Sequence, residues 1–473
     1  MFDKKQKVVI IGGGITGITT AYYLQQHAQE HNLPFEVILL EASHRLGGKM
    51  QTVVKDGYVI ERGPDSLLER KQSALRLAKK IGIDDKLVNN SSGESFILAN
   101  ERLFPMPGGS IMGIPTELTP FITTRLFSMA GKMRAAVDLI LPRSKSKEDQ
   151  SLGKFFRRRF GDEVVENLIE PLFMGVYAGN IDQLSLMSTF PQFYHLEQKH
   201  RSLILGMRKK TPPAKQNNTM SSEERKGAFV TLTSGLQSFV EAIEDKLQPQ
   251  SVYKGYRVEA VKKVDDGYEI GLNSKEKMIV DSIIVAVPHL TAATIFNNYE
   301  CFSVFKDVPA TSVATVALAF PEEAIKKDIN GTGFVVSRNS DFTITACTWT
   351  HKKWPHTAPK GKVLLRCYVG RPGDETIVDL SDDEITSIVL DDLNKTMDIS
   401  EKPEMSVVTR WKDSMPQYTV GHKQRVESVK KCVSEELPGV FLAGSSYAGI
   451  GVPDCIDQAE EAVEKVIQYL ENL

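Results

Sequence analysis

The 473-residue chain lacks a charge excess: 58 Lys and Arg stand against 60 Asp and Glu, a formal charge of -2. No global basic field draws it to nucleic acid, and an anionic partner must be held by a few local cations. Cysteines are few and scattered: Cys301, Cys347, Cys367, Cys432 and Cys455. There is no C-x-x-C and no Cys/His zinc spacing, so the sequence predicts no metal site and a reducing compartment. No stretch approaches the roughly 20 apolar residues of a spanning helix, and the apolar run after Lys7 stops at four residues, too short for a signal-peptide core. The expectation is a cytoplasmic protein, soluble or peripheral on the inner face of the cell membrane.

What is present is an average globular composition, 41% hydrophobic and 25% charged, on a chain long enough for two or three domains. Val8-Val9-Ile10-Ile11 runs into Gly12-Gly13-Gly14-Ile15-Thr16-Gly17, after which Ile18, Ala21 and Tyr22 recur at helical spacing. Glycines 12, 14 and 17 have the G-x-G-x-x-G spacing: one for a tight turn, one for backbone approach to a pyrophosphate, one for helix-strand packing. A second strand, Phe35 to Leu40, ends in Glu41, placed to accept hydrogen bonds from ribose hydroxyls. Arg45-Leu46-Gly47-Gly48-Lys49 follows, a second close-approach turn between cations.

Near the other end, Val440-Phe441-Leu442-Ala443-Gly444 is a strand entering a glycine-rich loop that reaches Gly451. Val452-Pro453 then open an amphipathic helix carrying Ile456, Ala459, Val463, Val466 and Leu470. Two nucleotide-type turns at opposite ends of the chain imply an interrupted domain. The predicted fold is α/β: an interrupted Rossmann-like domain over 1-72, 229-290 and 432-473, the middle piece adding strands to the same sheet. A mostly helical lobe spans 73-210, a polar mobile linker 211-228 and an inserted mixed-sheet substrate domain 291-431. Residues 104-131 carry only Glu117 and Arg125 as charges; they read as ordinary core, a cavity lining or a membrane-resting patch.

Glu41-Ala42-Ser43 with the Arg45-x-Gly-Gly-Lys block resembles the FAD signature of the FAD-dependent amine oxidase superfamily. Within it, Ser151 to Val164, Glu170 to Asn180, Glu61-Arg62-Gly63-Pro64-Asp65-Ser66, Arg410-Trp411, Pro416-Gln417-Tyr418 and Gly451 to Ile456 resemble the oxygen-dependent protoporphyrinogen and coproporphyrinogen III oxidases. Over nearly the whole chain the similarity is greatest to the coproporphyrinogen III oxidase type of Gram-positive bacteria. The resemblance implies FAD rather than NAD as cofactor, a porphyrinogen and molecular oxygen as partners, and no nucleic acid. It leaves peripheral membrane contact and haem-pathway partner enzymes open.

The reaction it implies is six-electron oxidation of coproporphyrinogen III with release of hydrogen peroxide. Protoporphyrinogen IX oxidation stands as the alternative, and an amine oxidase or desaturase chemistry more remotely. Expected cofactor-binding residues are Gly12, Gly13, Gly14, Ile15, Thr16, Gly17, Glu41, Ala42, Gly48, Lys49, Gly63, Pro64, Asp65, Ser66, Gly444, Gly451, Val452 and Pro453. Val258 and Trp411 are added by the resemblance alone. Arg62, Arg70 and Lys71 are the expected cations for propionates, since an apolar macrocycle with carboxylates needs apolar walls and a few fixed charges. By the resemblance, Met174, Gly175 and Val176, with Tyr177, would be such a wall. No catalytic side chain is singled out, because the flavin is itself the redox centre. His195, His200, His289 and His422 offer proton carriers on composition alone, and the structural reading is the stronger one for each.

Overall fold

Residues 5-145, 148-210 and 227-472 are described by a computed structural model; the predicted linker falls, but for its last two residues, outside them. Five short strands make one parallel sheet in the order Val252–Lys254, Phe35–Glu41, Gln6–Ile11, Ser282–Val285, Val440–Leu442. Val8 to Ile11 and Val37 to Leu40 are unbroken buried apolar runs because both faces of these strands are covered. On one face, the helices Ile15–Glu30, Ser73–Ile81, Gln237–Glu244 and Val452–Glu471 pack around Val8, Ile10, Leu39 and Ile284. On the other, Val9, Ile11, Ile38 and Ile283 meet the hairpins of residues 258-280, the segment 292-308 and the helix His422–Glu436.

The expectation that 229-290 adds its strands to this sheet needs correction. Val252–Lys254 and Ser282–Val285 do so, but Val258–Val264, Gly267–Leu272 and Lys277–Val280 form a separate antiparallel sheet. The tight turn at Asp265-Asp266 imposes this, since strands joined by so short a connection must run antiparallel. Phe229–Leu232 pairs instead with Leu67–Leu68 and Leu87–Asn89.

A seven-stranded sheet forms the second layer: Met405–Pro416, Ala310–Pro321, Lys362–Val369, Ile344–Trp349, Gly333–Val336, Ser95–Ala99 and Arg102–Pro105. Its last two strands come from the stretch expected to be helical. Phe96, Ile97 and Leu98 are buried and pair in parallel with Phe334, Val335 and Val336. The helix Asp382–Met397, with a Ser381/Glu384 capping box, covers one face. The remaining helices between 118 and 210 gather around Phe155, Phe156, Phe160, Phe173, Phe190 and Phe193. That core is tied by buried charge: Arg159 donates to Glu197 and to Asp138 (3.2 Å), all three side chains solvent-free, and Ser202 Oγ donates to Asp138 (2.6 Å). Among the described residues no helix is long and apolar enough to cross a membrane.

Candidate functional site

The carboxyl ends of the parallel strands are where such sheets bind nucleotides, and the two glycine-rich turns meet there. Gly12 has φ +106°, a turn conformation open to glycine, and donates its N–H to Leu40 O (2.8 Å). A Cβ on Gly17 would overlap the Gly12 carbonyl oxygen, so the helix Ile15–Glu30 sits against the strand as closely as backbone allows. A Cβ on Gly14 would meet nothing within 4 Å: this glycine borders open space at the amino end of the helix, where a phosphate needs access to unpaired N–H groups. The three glycines thus do three different things.

Glu41 closes the turn. Its carboxylate accepts from Gly13 N–H and from Ser43 N–H, both at 2.7 Å, leaving lone pairs for hydroxyl donors. Ala42 beside it is exposed. Gly255 and Tyr256 donate their N–H groups to Ser43 O and Glu41 O, which brings the strand beginning at buried Val258 next to this corner. Gly47 N–H donates to Gly13 O (2.7 Å), and Gly48, at φ +57°, lies against Gly14.

The Gly48-Lys49 turn leads into the hairpin Thr52–Lys55/Tyr58–Glu61, whose far end is Arg62-Gly63-Pro64-Asp65-Ser66. Gly63 packs on the Lys49 carbonyl, where any side chain would overlap it. Lys49 donates to Ser414 O, and burial lowers its pKa. Asp65 accepts from Ser66 Oγ (2.6 Å) and pairs with Lys353 (2.9 Å). Burial would raise its carboxyl, but the Lys353 and Arg366 charges outweigh that and hold it well below the usual range. Arg366 donates to Gly63 O and to Tyr368 Oη (2.8 Å). Trp411 Nε1 donates to Arg62 O (2.9 Å), and Thr315 Oγ1 to the same oxygen (3.0 Å).

The C-terminal turn completes the cleft. Gly444, at φ +126°, has its N–H bonded to Gln458 Oε1 (3.1 Å), and Gln458 Nε2 donates to Ala448 O (3.0 Å). One side chain of the helix Val452–Glu471 therefore holds both ends of the loop that precedes it. Gly451 caps this helix and Pro453 lies in its first turn, so its amino end, with the dipole positive, opens beside Thr16 and Lys49. Both residues act on the helix's buried Cys455, whose thiol burial pushes up to about 11. Tyr418 Oη accepts from Gly449 N–H (2.9 Å) and donates to Ser445 O (2.7 Å), while Gln417 Nε2 donates to Tyr177 O (3.0 Å). Residues 417 and 418 thereby join the glycine-rich loop to the helix Glu170–Tyr177. On that helix Met174 is buried, whereas Gly175 and Val176 are exposed and a Cβ on Gly175 would meet nothing within 4 Å.

The three cations are placed differently. Arg62 Nε donates to Thr409 Oγ1 (2.8 Å). Lys71 pairs with Asp454 in the first turn of the C-terminal helix, so it stands at the cleft but is neutralised. Arg70 is exposed and has no hydrogen bond or ion pair among the described residues. His289 is buried between Ser446 Oγ and Val308 O (3.2 and 2.9 Å), and His422 stacks on Tyr418 with burial pushing it down to about 4. Both brace the loop as neutral rings.

Sequence reasoning missed Lys353, Arg366, Thr315, Thr409 and Gln458. Each is an ordinary polar residue on a strand or helix and carries no local signal. An open glycine edge flanked by two helix amino ends, a ribose-type carboxylate and close-packed glycines fits a dinucleotide. Sequence comparison agrees. The model of the family "Flavin containing amine oxidoreductase" matches residues 15–467. The chain is 57% identical to the coproporphyrinogen III oxidase of Bacillus subtilis (strain 168), covering 99% of this chain and 100% of that one. It is 45% identical to the enzyme of the same name from Staphylococcus aureus (strain NCTC 8325 / PS 47), with 98% and 100% covered. A crystal structure from Exiguobacterium sp. 255-15 superposes with TM-score 0.87 at 37% identity, covering 99% of both chains. The cofactor is FAD.

Proposed function

Since the chain belongs to the flavin-containing amine oxidoreductase family and, within it, to the coproporphyrinogen III oxidases, we propose that it oxidises coproporphyrinogen III to coproporphyrin III in haem biosynthesis. Six electrons and six protons leave the substrate, and three O2 become three hydrogen peroxide. The observation that carries this reading is identity of 57% along the full length of both chains, which leaves no inserted or missing lobe to alter the cleft. Bound FAD supplies two-electron chemistry, so six electrons require three rounds, each closed by oxygen.

In this reading the residues of the chain bind, orient and exclude water. Gly12 to Gly17 and Gly48-Lys49 hold the pyrophosphate, Glu41 and Ala42 the ribose, and Val258 the adenine. Gly63 to Ser66, Trp411 and Gly444 frame the ring system. Gly451, Val452 and Pro453 bring a positive helix end to the place where negative charge develops on reduction. Met174, Gly175 and Val176 form the apolar wall, and Arg62, Arg70 and Lys71 attract propionates. No side chain is assigned as base.

The test is aerobic incubation of FAD-loaded protein with coproporphyrinogen III and, separately, protoporphyrinogen IX, following porphyrin fluorescence and peroxide against an enzyme-free control. Preference for the first with about three peroxides per porphyrin is expected. Preference for the second would move the substrate assignment, and oxidation of neither would end the reading.

We propose in addition that the protein rests on a lipid surface. Ile111, Leu118, Ile122, Met129, Met133 and Ile140 are exposed within one short stretch, whereas Phe121, Leu126 and Phe127 beside them are core. Concentrated apolar exposure marks contact sites. Vesicle flotation should recover the protein, and Met129→Ser with Met133→Ser should abolish recovery; recovery of neither form would remove the membrane reading.

A further inference from the structure

Cys301 and Cys432 look unrelated in sequence, but the fold brings them together away from the cleft. Cys432 lies near the end of the helix His422–Glu436, and Glu436 is its i+4 neighbour on the same face. Cys301 lies on the 3₁₀ segment Glu300–Asp307, which packs across that face. The two thiol sulfurs and a Glu436 carboxylate oxygen all lie within 4.8 Å of one another. Both cysteines are half-buried and Glu436 is exposed. Lys263 Nζ donates to the Glu436 main-chain oxygen (2.9 Å), which fixes the helix end and leaves the carboxylate free to turn inward.

We propose that Cys301, Cys432 and Glu436 form a zinc site, with water from the exposed side as fourth ligand. Two thiolates and one carboxylate match the ligand chemistry of Zn2+, and thiolates disfavour Mg2+ and Ca2+. A tetrahedral ion holds such ligand atoms roughly 3.5-4 Å apart, a separation open to three atoms that lie within 4.8 Å of one another and include an exposed glutamate. Binding clips two segments distant in sequence and stiffens the helix whose other end carries His422 against Tyr418.

The experiment uses reduced, FAD-loaded protein titrated with Zn2+ against a chromophoric chelator, and with Co2+ by near-ultraviolet absorption. One equivalent should bind, a thiolate-to-cobalt band should appear, and thermal unfolding should move up with zinc concentration. Cys301→Ser and Cys432→Ser should each weaken zinc on the order of 100-fold and lose the band; Glu436→Gln, at an exposed position, should weaken it about 10-fold. Failure to bind with both thiols titratable would overturn the proposal. So would a Cys301–Cys432 disulfide that forms in air in the presence of excess zinc, since it would mark a redox pair. Should a serine variant not fold, the cobalt band of the parent and the Glu436→Gln titration still decide.

Discussion

The two sides of the cleft are built from different material. The nucleotide side is backbone: glycines 12, 14, 17 and 48, two helix amino ends and the main-chain groups that Glu41 and Gln458 hold in place. The opposite side is made of side chains from distant segments, Arg62 with Thr409 and Trp411, Asp65 with Lys353, Gly63 with Arg366. Backbone sites demand particular residues at fixed local spacing, whereas side-chain sites need only that remote residues arrive together. The first kind tolerates almost no substitution; the second should be tunable, and that contrast can be broken at defined points.

The sharpest test sets two glycines against each other. Gly17→Ala must displace the Gly12 carbonyl, so it should cost more than about 4 kcal/mol and yield protein without FAD. Gly175→Ala meets only open space at an exposed helix position and should leave FAD content unchanged and thermal stability unchanged or raised by up to about 1 kcal/mol, while altering the Michaelis constant. FAD-loaded Gly17→Ala, or FAD-free Gly175→Ala, would erase the distinction.

The helical lobe sharpens it from another direction, because its core depends on buried charge. Glu197→Ala removes one of the two carboxylates that Arg159 donates to and leaves this solvent-free guanidinium with Asp138 alone, which should cost about 3 kcal/mol. Replacing Arg159, Glu197 and Asp138 together by apolar residues should recover most of that loss. Thermal unfolding of the single and triple variants checks both halves.

These predictions bear on what could be read before the fold was known. The strand Phe35–Glu41 and the helix Val452–Glu471 are where the hydrophobic pattern places them; the nucleotide reading rests on local glycine spacing, and the choice of FAD on the family resemblance. Ser95–Ala99 is misplaced because a four-residue apolar run does not distinguish helix from strand, and of its two partners only Arg102–Pro105 is local, the other lying more than 200 residues away. Lys353, at the end of the short helix Thr350–Lys353, and Arg366, on a strand, are invisible in the sequence because nothing local marks either as a partner of Asp65. The Cys301/Cys432 cluster was invisible for the same reason.

Glu61 joins the two kinds of construction, as its side chain anchors main chain. It accepts from Leu236 N–H (2.6 Å) and Thr52 Oγ1 (3.0 Å), yet burial, only partly offset by those bonds, pushes its pKa up to about 7. The folded protein therefore holds a proton that the unfolded chain, near 4.5, has lost. Stability is full below about pH 4.5 and falls as pH rises toward 7, by up to about 3 kcal/mol. Glu61→Gln removes this slope, so the wild-type minus variant difference in unfolding temperature should decline between about pH 5 and about pH 8. A constant difference would show the carboxylate already ionised in the fold.

The smallest effect concerns Lys71, paired with Asp454 at the start of the C-terminal helix. Its pairing with Asp454 is partly exposed, so Lys71→Met should change stability by less than about 1 kcal/mol. Lys71→Glu places two carboxylates together at the amino end of the C-terminal helix, and propionates should feel the reversed charge. The Michaelis constant should rise more for the tetracarboxylate coproporphyrinogen than for the dicarboxylate protoporphyrinogen, with turnover little changed. Equal rises for both would mean that the lysine serves Asp454 and the helix start alone, and the propionate role would pass to Arg62 and Arg70.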